Sequence, residues 1–175
     1  MPTPADDCLI QGLTAGREEA FAALYDRYGR SLHRVAVTLL GNRQDAEDAV
    51  QDVFVNLVKS HRLLAHVQDL PAYLFTALRH AAHQIAARRR SDSARRHVVG
   101  ANLPPAQVSD PLDADGLARA LAALPADQRA VIALKIDAGL TFAQISQVLD
   151  ISANTAASRY RYALEKLRRQ LEKRP

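Results

Sequence analysis

The feature that most constrains this chain is the stretch "TFAQISQVLDISANTAASRYRYALEKLRRQL", residues 141–171, which reads as two helices around a three-residue turn. Thr141 followed by Gln144 has the pattern of a capping box, in which each side chain satisfies the other's backbone N–H at a helix start. Phe142, Ile145, Val148 and Leu149 then recur at helical spacing and give that short helix one buried side. In the turn, Ile151 is placed to plug a core and Ser152 to cap the next helix, the layout of a helix-turn-helix. On a wheel of 100° per residue, Ala156, Tyr160, Ala163, Leu164, Leu167 and Leu171 share the core side of the second helix. Asn154, Ser158, Arg161, Tyr162, Glu165 and Arg169 point away from it, with Thr155 and Ala157 on the flanks. Small residues in the first turn and hydrogen-bonding or cationic side chains further on suit a helix entering a DNA major groove. Ser158 and Arg161 are expected at base edges and Arg169 at phosphate; Asn154, Thr155, Arg159 and Tyr162 complete the expected DNA-binding set on this helix.

The rest of the chain is also helical in pattern. "GREEAFAALYDRYGRSLHRVAVTLLG" places Phe21, Leu24, Tyr25, Tyr28, Leu32, Val35 and Leu39 three or four apart, with Gly41 suited to a C-terminal cap. "NRQDAEDAVQDVFVNLVKSH" follows, with Ala46, Ala49, Val50, Val53, Phe54, Leu57 and Val58 on one face and Asp45, Asp48 and Asp52 on the other. After the loop "RLLAHVQDL", Pro71 is expected at the first position of a third helix. The segment "SDSARRHVVGANLPPAQVSDP" breaks every period and collects Ser, Asp, Gly, Asn and Pro, the composition of a linker. Beyond it, "LDADGLARALAAL" and "PADQRAVIALKIDAG" read as two more helices, the second with Val131, Ile132, Leu134 and Ile136 mostly inward and Gly139 at its end. The predicted fold is all-α, two small helical domains joined by a flexible linker: residues 1–91, a linker over 92–110, and a helix-turn-helix domain over 111–175.

Charge is distributed unevenly. The net charge is +4, yet residues 79–96 hold six Arg against one Asp, and residues 159–174 hold seven basic residues against two Glu. Residues 42–54 reverse this, with four acids and one Arg. Two basic segments and one acidic segment imply more than one kind of partner. The run Arg88, Arg89 and Arg90 at a helix end suits DNA backbone rather than base edges. A single cysteine, Cys8, allows no internal disulfide and is consistent with a reducing compartment. No apolar stretch approaches a membrane span, no secretory pattern opens the chain, and the expected location is cytoplasmic with no membrane insertion. His80 and His83 lie three apart without a third ligand at fitting spacing, and there is no Gly-rich phosphate loop or nucleophile turn. Catalysis, a metal and a cofactor are therefore not expected; His33, His61, His66 and His97 read as surface or interface residues.

With these segments in order, the chain resembles an extracytoplasmic-function sigma factor, the small two-domain branch of the bacterial sigma-70 family, over roughly residues 17–172. "DAEDAVQDVF" (45–54) is similar to that family's "DAEDLVQEVF"-type segment, "AYLFTALRHAAHQIAARRR" to its "AWLFRIARN"-type helix, and residues 120–168 to its C-terminal domain. The resemblance implies a transcription initiation factor that binds core RNA polymerase and directs it to promoter DNA. It implies docking on the β′ clamp helices through Asp45, Asp48, Gln51 and Asp52, with the β subunit also in contact. It further implies a third helix, bearing Arg79 and His80, at the −10 element, a helix-turn-helix at the −35 element, and an anti-sigma factor as a further partner. His80 and Gln84 stand where the family often has Asn and Asp, and Ala157 where it often has Lys or Arg. The alternative is a sigma-like decoy that binds an anti-sigma factor without directing transcription.

Overall fold

In the computed structural model the described residues are 4–97 and 114–172, and among them all regular structure is helical. The elements are α1 (Pro4–Thr14), α2 (Glu18–Leu40), α3 (Arg43–Lys59), a 3-10 turn (His61–His66), α4 (Leu70–His97), α5 (Ala114–Ala122), α6 (Ala126–Ile136), α7 (Phe142–Leu149) and α8 (Ala153–Glu172). Two of these differ from expectation. The N-terminal segment forms α1, and α4 runs past Ser91 to His97, into the segment read as linker. The remainder of the expected linker lies outside the described residues.

Local signals set most helix ends. Gly41 closes α2 at φ 68°, donating its N–H to Val37 O at 2.8 Å, a left-handed position that favours glycine. Asn42 then opens α3 by accepting from Gln44 N at 2.8 Å. At α4 the cap is Asp69, whose Oδ1 accepts from Ala72 N at 2.9 Å, and Pro71 sits one place further in than expected. The capping box of α7 forms as expected: Gln144 N donates to Thr141 Oγ1 at 3.2 Å and Thr141 N to Gln144 Oε1 at 2.9 Å. Ser152 Oγ accepts from Thr155 N at 3.0 Å and starts α8.

The N-terminal helices meet through Leu24, Leu32 and Val35 of α2, Ala46, Ala49, Val53 and Leu57 of α3, and Leu74, Phe75 and Leu78 of α4, all buried. α1 closes one end through Leu13, with its cavity-side carboxylate Asp6 buried against Arg27 Nη1 at 3.0 Å and the Tyr28 hydroxyl at 3.2 Å. The core does not stop at the domain boundary. α6 packs on α2, and α7 on α4, so that Val131, Ala133, Leu134, Leu140, Ile145 and Val148 belong to the same apolar cluster. Ile132 faces the other way, into a smaller cluster with Ala120, Leu124, Ala163 and Leu167. α6 is thus buried on opposing sides, which is why five consecutive residues, Ala130 to Leu134, are all apolar and all buried.

Several apolar positions expected inside are exposed: Tyr25, Val58, Ile136, Leu164 and Leu171. Each lies at the rim of an otherwise inward stripe. The wheel assigns direction, but a rim residue is buried only if a neighbouring helix reaches that far, and α5 covers Ala163 and Leu167 without covering Leu164.

Candidate nucleic-acid and protein interfaces

α8 presents a free outer face. Asn154, Arg161, Tyr162, Glu165 and Arg169 are exposed, while Ala156, Ala163 and Leu167 are buried on the opposite side. Thr155 and Ser158 are half-buried on the flank; Thr155 Oγ1 lies 2.8 Å from Ser152 Oγ, which engages it in the cap. The Arg161 guanidinium stands 5.4 Å from the Tyr162 ring centroid, a cation–π contact that keeps the cation on the outer face. Tyr160 turns inward and meets Phe142 of α7 edge to face at 5.7 Å, fixing the angle between the two helices. Arg159, expected at DNA, has its Nη2 2.8 Å from Asp127 Oδ2 of α6, an ion pair within the domain.

The basic helix α4 divides in the same way. Arg88 and Arg90 are exposed, as is His80. Arg89 Nε lies 2.7 Å from Asp45 Oδ2, an ion pair made off the N–H line rather than an aligned hydrogen bond. Arg79 is half-buried, with Nε out of solvent and without a hydrogen-bond partner among the described residues. It lines a cavity of about 240 Å³ between the domains, together with Phe75, His83, Arg129, Leu134 and Arg159.

On α3 the expected acidic face is split. Asp48 and Gln51 are exposed and Asp52 half-buried, but Asp45 is buried, its carboxylate turned toward α4. Asp45 therefore does not stand with Asp48 on the outer face; Asn42 supplies the helix cap and leaves Asp45 free to meet Arg89. Beside Gln51 lies an apolar groove that the periodicity did not reveal. Phe21 and Tyr25 of α2 and Phe54 and Val58 of α3 line it, with Tyr25 and Phe54 5.2 Å apart between ring centroids. Tyr25 is exposed and Phe54 half-buried, and an aromatic pair along a groove can bury a partner's apolar side chains. The signal for it was present as aromatic residues at positions that α4 cannot reach.

A second cavity, about 360 Å³, lies where α1, α2 and the start of α4 meet the α6–α7 turn. Asp6, Arg27, Tyr28, Asp69, Asp137 and Gln144 line it. Burial, reinforced by the Asp6 carboxylate and opposed by Arg27, pushes the Tyr28 phenol up to about 12. Burial also raises the Asp137 carboxyl, against the opposing pull of the Arg34 cation. At Asp69 both carboxylate oxygens accept from Gln144 Nε2, each at 3.1 Å. From sequence Gln144 is expected at a helix start and Asp69 in a loop, and neither is expected at this contact.

Among the described residues no group of three or more His, Cys, Asp or Glu could hold a metal ion, and no helix is long and apolar enough to cross a membrane.

Residues 24–93 match the family described as sigma-70 region 2, and residues 120–169 match sigma-70, region 4. The ECF RNA polymerase sigma factor SigL of Mycobacterium tuberculosis is 33% identical over 172 residues, covering 93% of this chain and 95% of that protein. SigX of Bacillus subtilis, also an ECF RNA polymerase sigma factor, is 23% identical over 89% of this chain and 85% of its own length. Among solved structures, the sigma factor RpoE from Bartonella quintana, in complex with the anti-sigma factor NepR, is similar at a TM-score of 0.71. Its identity is 25%, with 89% of this chain and 98% of that chain covered. CnrH, in complex with the cytosolic domain of CnrY, shares the fold at a TM-score of 0.69 over 96% of this chain and 97% of that one.

Proposed function

From the premise that this chain belongs to the extracytoplasmic-function branch of the sigma-70 family, we propose that it binds core RNA polymerase and directs it to promoters through −10 and −35 contacts. The observation that carries the promoter reading is the outer face of α8, where Asn154, Arg161, Tyr162 and Arg169 project from a helix whose opposite side is locked by Ala156, Ala163 and Leu167. A capped, rigidly packed helix with one polar and cationic face is what major-groove entry requires. Arg161 and Ser158 read base edges at the −35 element, and Arg169 meets phosphate. Arg88, Arg90 and His80 hold the upstream strand near −10.

Core polymerase docks on α3 through Asp48, Gln51 and Asp52, and the adjoining groove of Phe21, Tyr25, Phe54 and Val58 receives its apolar side chains. The likeness to RpoE, solved with its anti-sigma factor, supports an anti-sigma factor as a further partner of this chain. The test is transcription in vitro from a randomised −35 library with core polymerase. An Arg aimed at guanine contributes about 1–3 kcal/mol of discrimination, whereas a phosphate contact strengthens all sequences alike. Arg161→Ala is expected to relax preference at one −35 position and Arg169→Ala to weaken all sequences uniformly. A chain that binds core polymerase yet selects no promoter from the library would instead be a decoy, and the reading would fail.

A further inference from the structure

Arg79 and His80 are neighbours on α4 and both are expected at the −10 element, but the fold treats them differently. His80 is exposed. Arg79 is half-buried and lines the cavity of about 240 Å³, with its Nε out of solvent and without a hydrogen-bond partner among the described residues. Burying a guanidinium nitrogen without an acceptor is unfavourable, so an acceptor that enters the cavity from outside the chain improves this position.

Two further guanidiniums line the same cavity, and each is already engaged. Arg159 Nη2 lies 2.8 Å from Asp127 Oδ2, and Arg129 Nη1 donates to Leu124 O at 3.1 Å. Among the lining residues three arginines therefore meet one carboxylate, and the local field is positive. The start of α6 adds to it: Ala126 and Asp127 of its first turn line the cavity, and Pro125 ahead of them provides no side-chain cap. Most of the remaining wall is hydrocarbon, with Leu39 from α2, Phe75 and Ala82 from α4, Leu134 from α6 and Val148 from α7. A cationic point on an apolar wall is the pattern of a pocket for a small amphiphilic anion.

We propose that this cavity is a binding site for a small organic carboxylate, with Arg79 holding the carboxylate and the apolar wall enclosing the body that carries it. A guanidinium meets a carboxylate through two parallel N–H···O bonds, and Arg79 Nε is a free donor for one of them. Inorganic phosphate satisfies the cation but sets a hydrated ion against the hydrocarbon wall; a neutral hydrocarbon fills the volume and leaves Nε unpaired. Size agrees as well. An apolar cavity of about 150 Å³ admits benzene, so about 240 Å³ has room for the same ring bearing one carboxylate. The assignment goes beyond the sigma-factor reading and holds whether or not the chain directs transcription.

The probe is benzoate, titrated into the full-length free chain, with benzamide as its neutral isostere and inorganic phosphate as the anion without an apolar body. Binding is read by NMR from the Nε–H resonance of Arg79 and the methyl resonances of Ala82, Leu134 and Val148. Benzoate is expected to shift these saturably and to bind at least about tenfold more tightly than benzamide or phosphate. Two variants locate the site. Arg79→Met keeps an unbranched side chain of high helix propensity and removes the charge. Ala86→Leu leaves every arginine in place and takes up volume; Ala86 is half-buried on α4 and lines the cavity, so the longer chain has space to enter. Each variant is expected to weaken benzoate binding about tenfold or more.

The absence of a saturable shift with benzoate overturns the site, as does equal binding of benzamide or phosphate. Shifts confined to the exposed Arg88 and Arg90 mean loose pairing with surface cations and overturn it too. Undiminished affinity in a folded Arg79→Met chain removes Arg79 from the site and ends the proposal. Where the melting curve shows Arg79→Met to be unfolded, Ala86→Leu decides: undiminished benzoate affinity in that variant places the ligand outside the cavity.

Discussion

Arg89 Nε and Asp45 Oδ2 lie 2.7 Å apart, joining α4 to the first turn of α3. Each residue has a separate partner in the sequence reading, phosphate for the cation and polymerase for the acid, and the fold pairs them with each other. Asp45 is largely enclosed while Arg89 is half exposed, so the pair contributes about 1 kcal/mol, near the upper end for surface ion pairs. Asp45→Asn is expected to lower stability in urea by that amount and to leave polymerase docking nearly intact. Reversing Asp48 and Asp52 to Lys is expected to do the opposite. Equal losses in a core-polymerase pull-down would return Asp45 to the docking surface.

The same pair separates the three arginines of the run. Arg88 and Arg90 are exposed, so Ala at either position should reduce the slope of log affinity against log salt by up to about 0.9 for holoenzyme on promoter duplex. Arg89→Ala should reduce it less, because Arg89 must first leave Asp45. Three equal reductions would mean that DNA displaces the ion pair completely.

Tyr28 donates to Asp6 Oδ1 at 3.2 Å, and burial together with that carboxylate holds its phenol at about 12, above the ordinary 10. A folded-state value raised above the unfolded one gives stability that is complete below pH 10 and is lost as pH rises from 10 through 12. Tyr28→Phe should cost about 1.5–3 kcal/mol at neutral pH, the range for a hydrogen bond to a charged group. Thermal melts across alkaline pH should show a flatter profile in the variant; identical slopes would show that Tyr28 is not the group titrating.

At Asp137 burial raises the carboxyl above its ordinary 3.8. The sign here means that the folded state favours the protonated form, so the benefit is present below 3.8 and lost as pH rises through the folded value. At neutral pH the charge opposes folding. Asp137→Asn is expected to melt at a higher temperature than wild type at neutral pH, with the difference shrinking as the pH is lowered toward 3.8. A constant difference across pH would point to a change in packing instead.

Exposure of Tyr25 makes the α2–α3 groove testable apart from the acids. Tyr25→Ser should leave the melting temperature within a few degrees, since the ring is largely in solvent, and weaken core-polymerase capture as Asp48→Lys does. Undiminished capture would remove the groove from the docking surface.

By itself the sequence determined what local chemistry controls. Thr141 with Gln144, Gly41 and Ser152 mark helix ends through bonds spanning three or four residues, and Leu24, Leu32 and Val35 repeat at the helical period. The family resemblance was legible for the same reason, since its motifs are short segments in a set order. The tertiary structure decided which faces are covered and which charges meet. Asp45 shares a helix with Asp48 but turns to Arg89, and Tyr25 and Leu164 sit at the edges of apolar stripes that neighbouring helices cover only in part. Gln144 completes a local box with one atom and crosses the chain to Asp69 with another. A helix repeats every 3.6 residues whatever surrounds it, whereas burial and ion pairing depend on residues brought together from distant positions, and periodicity carries no information about those distances.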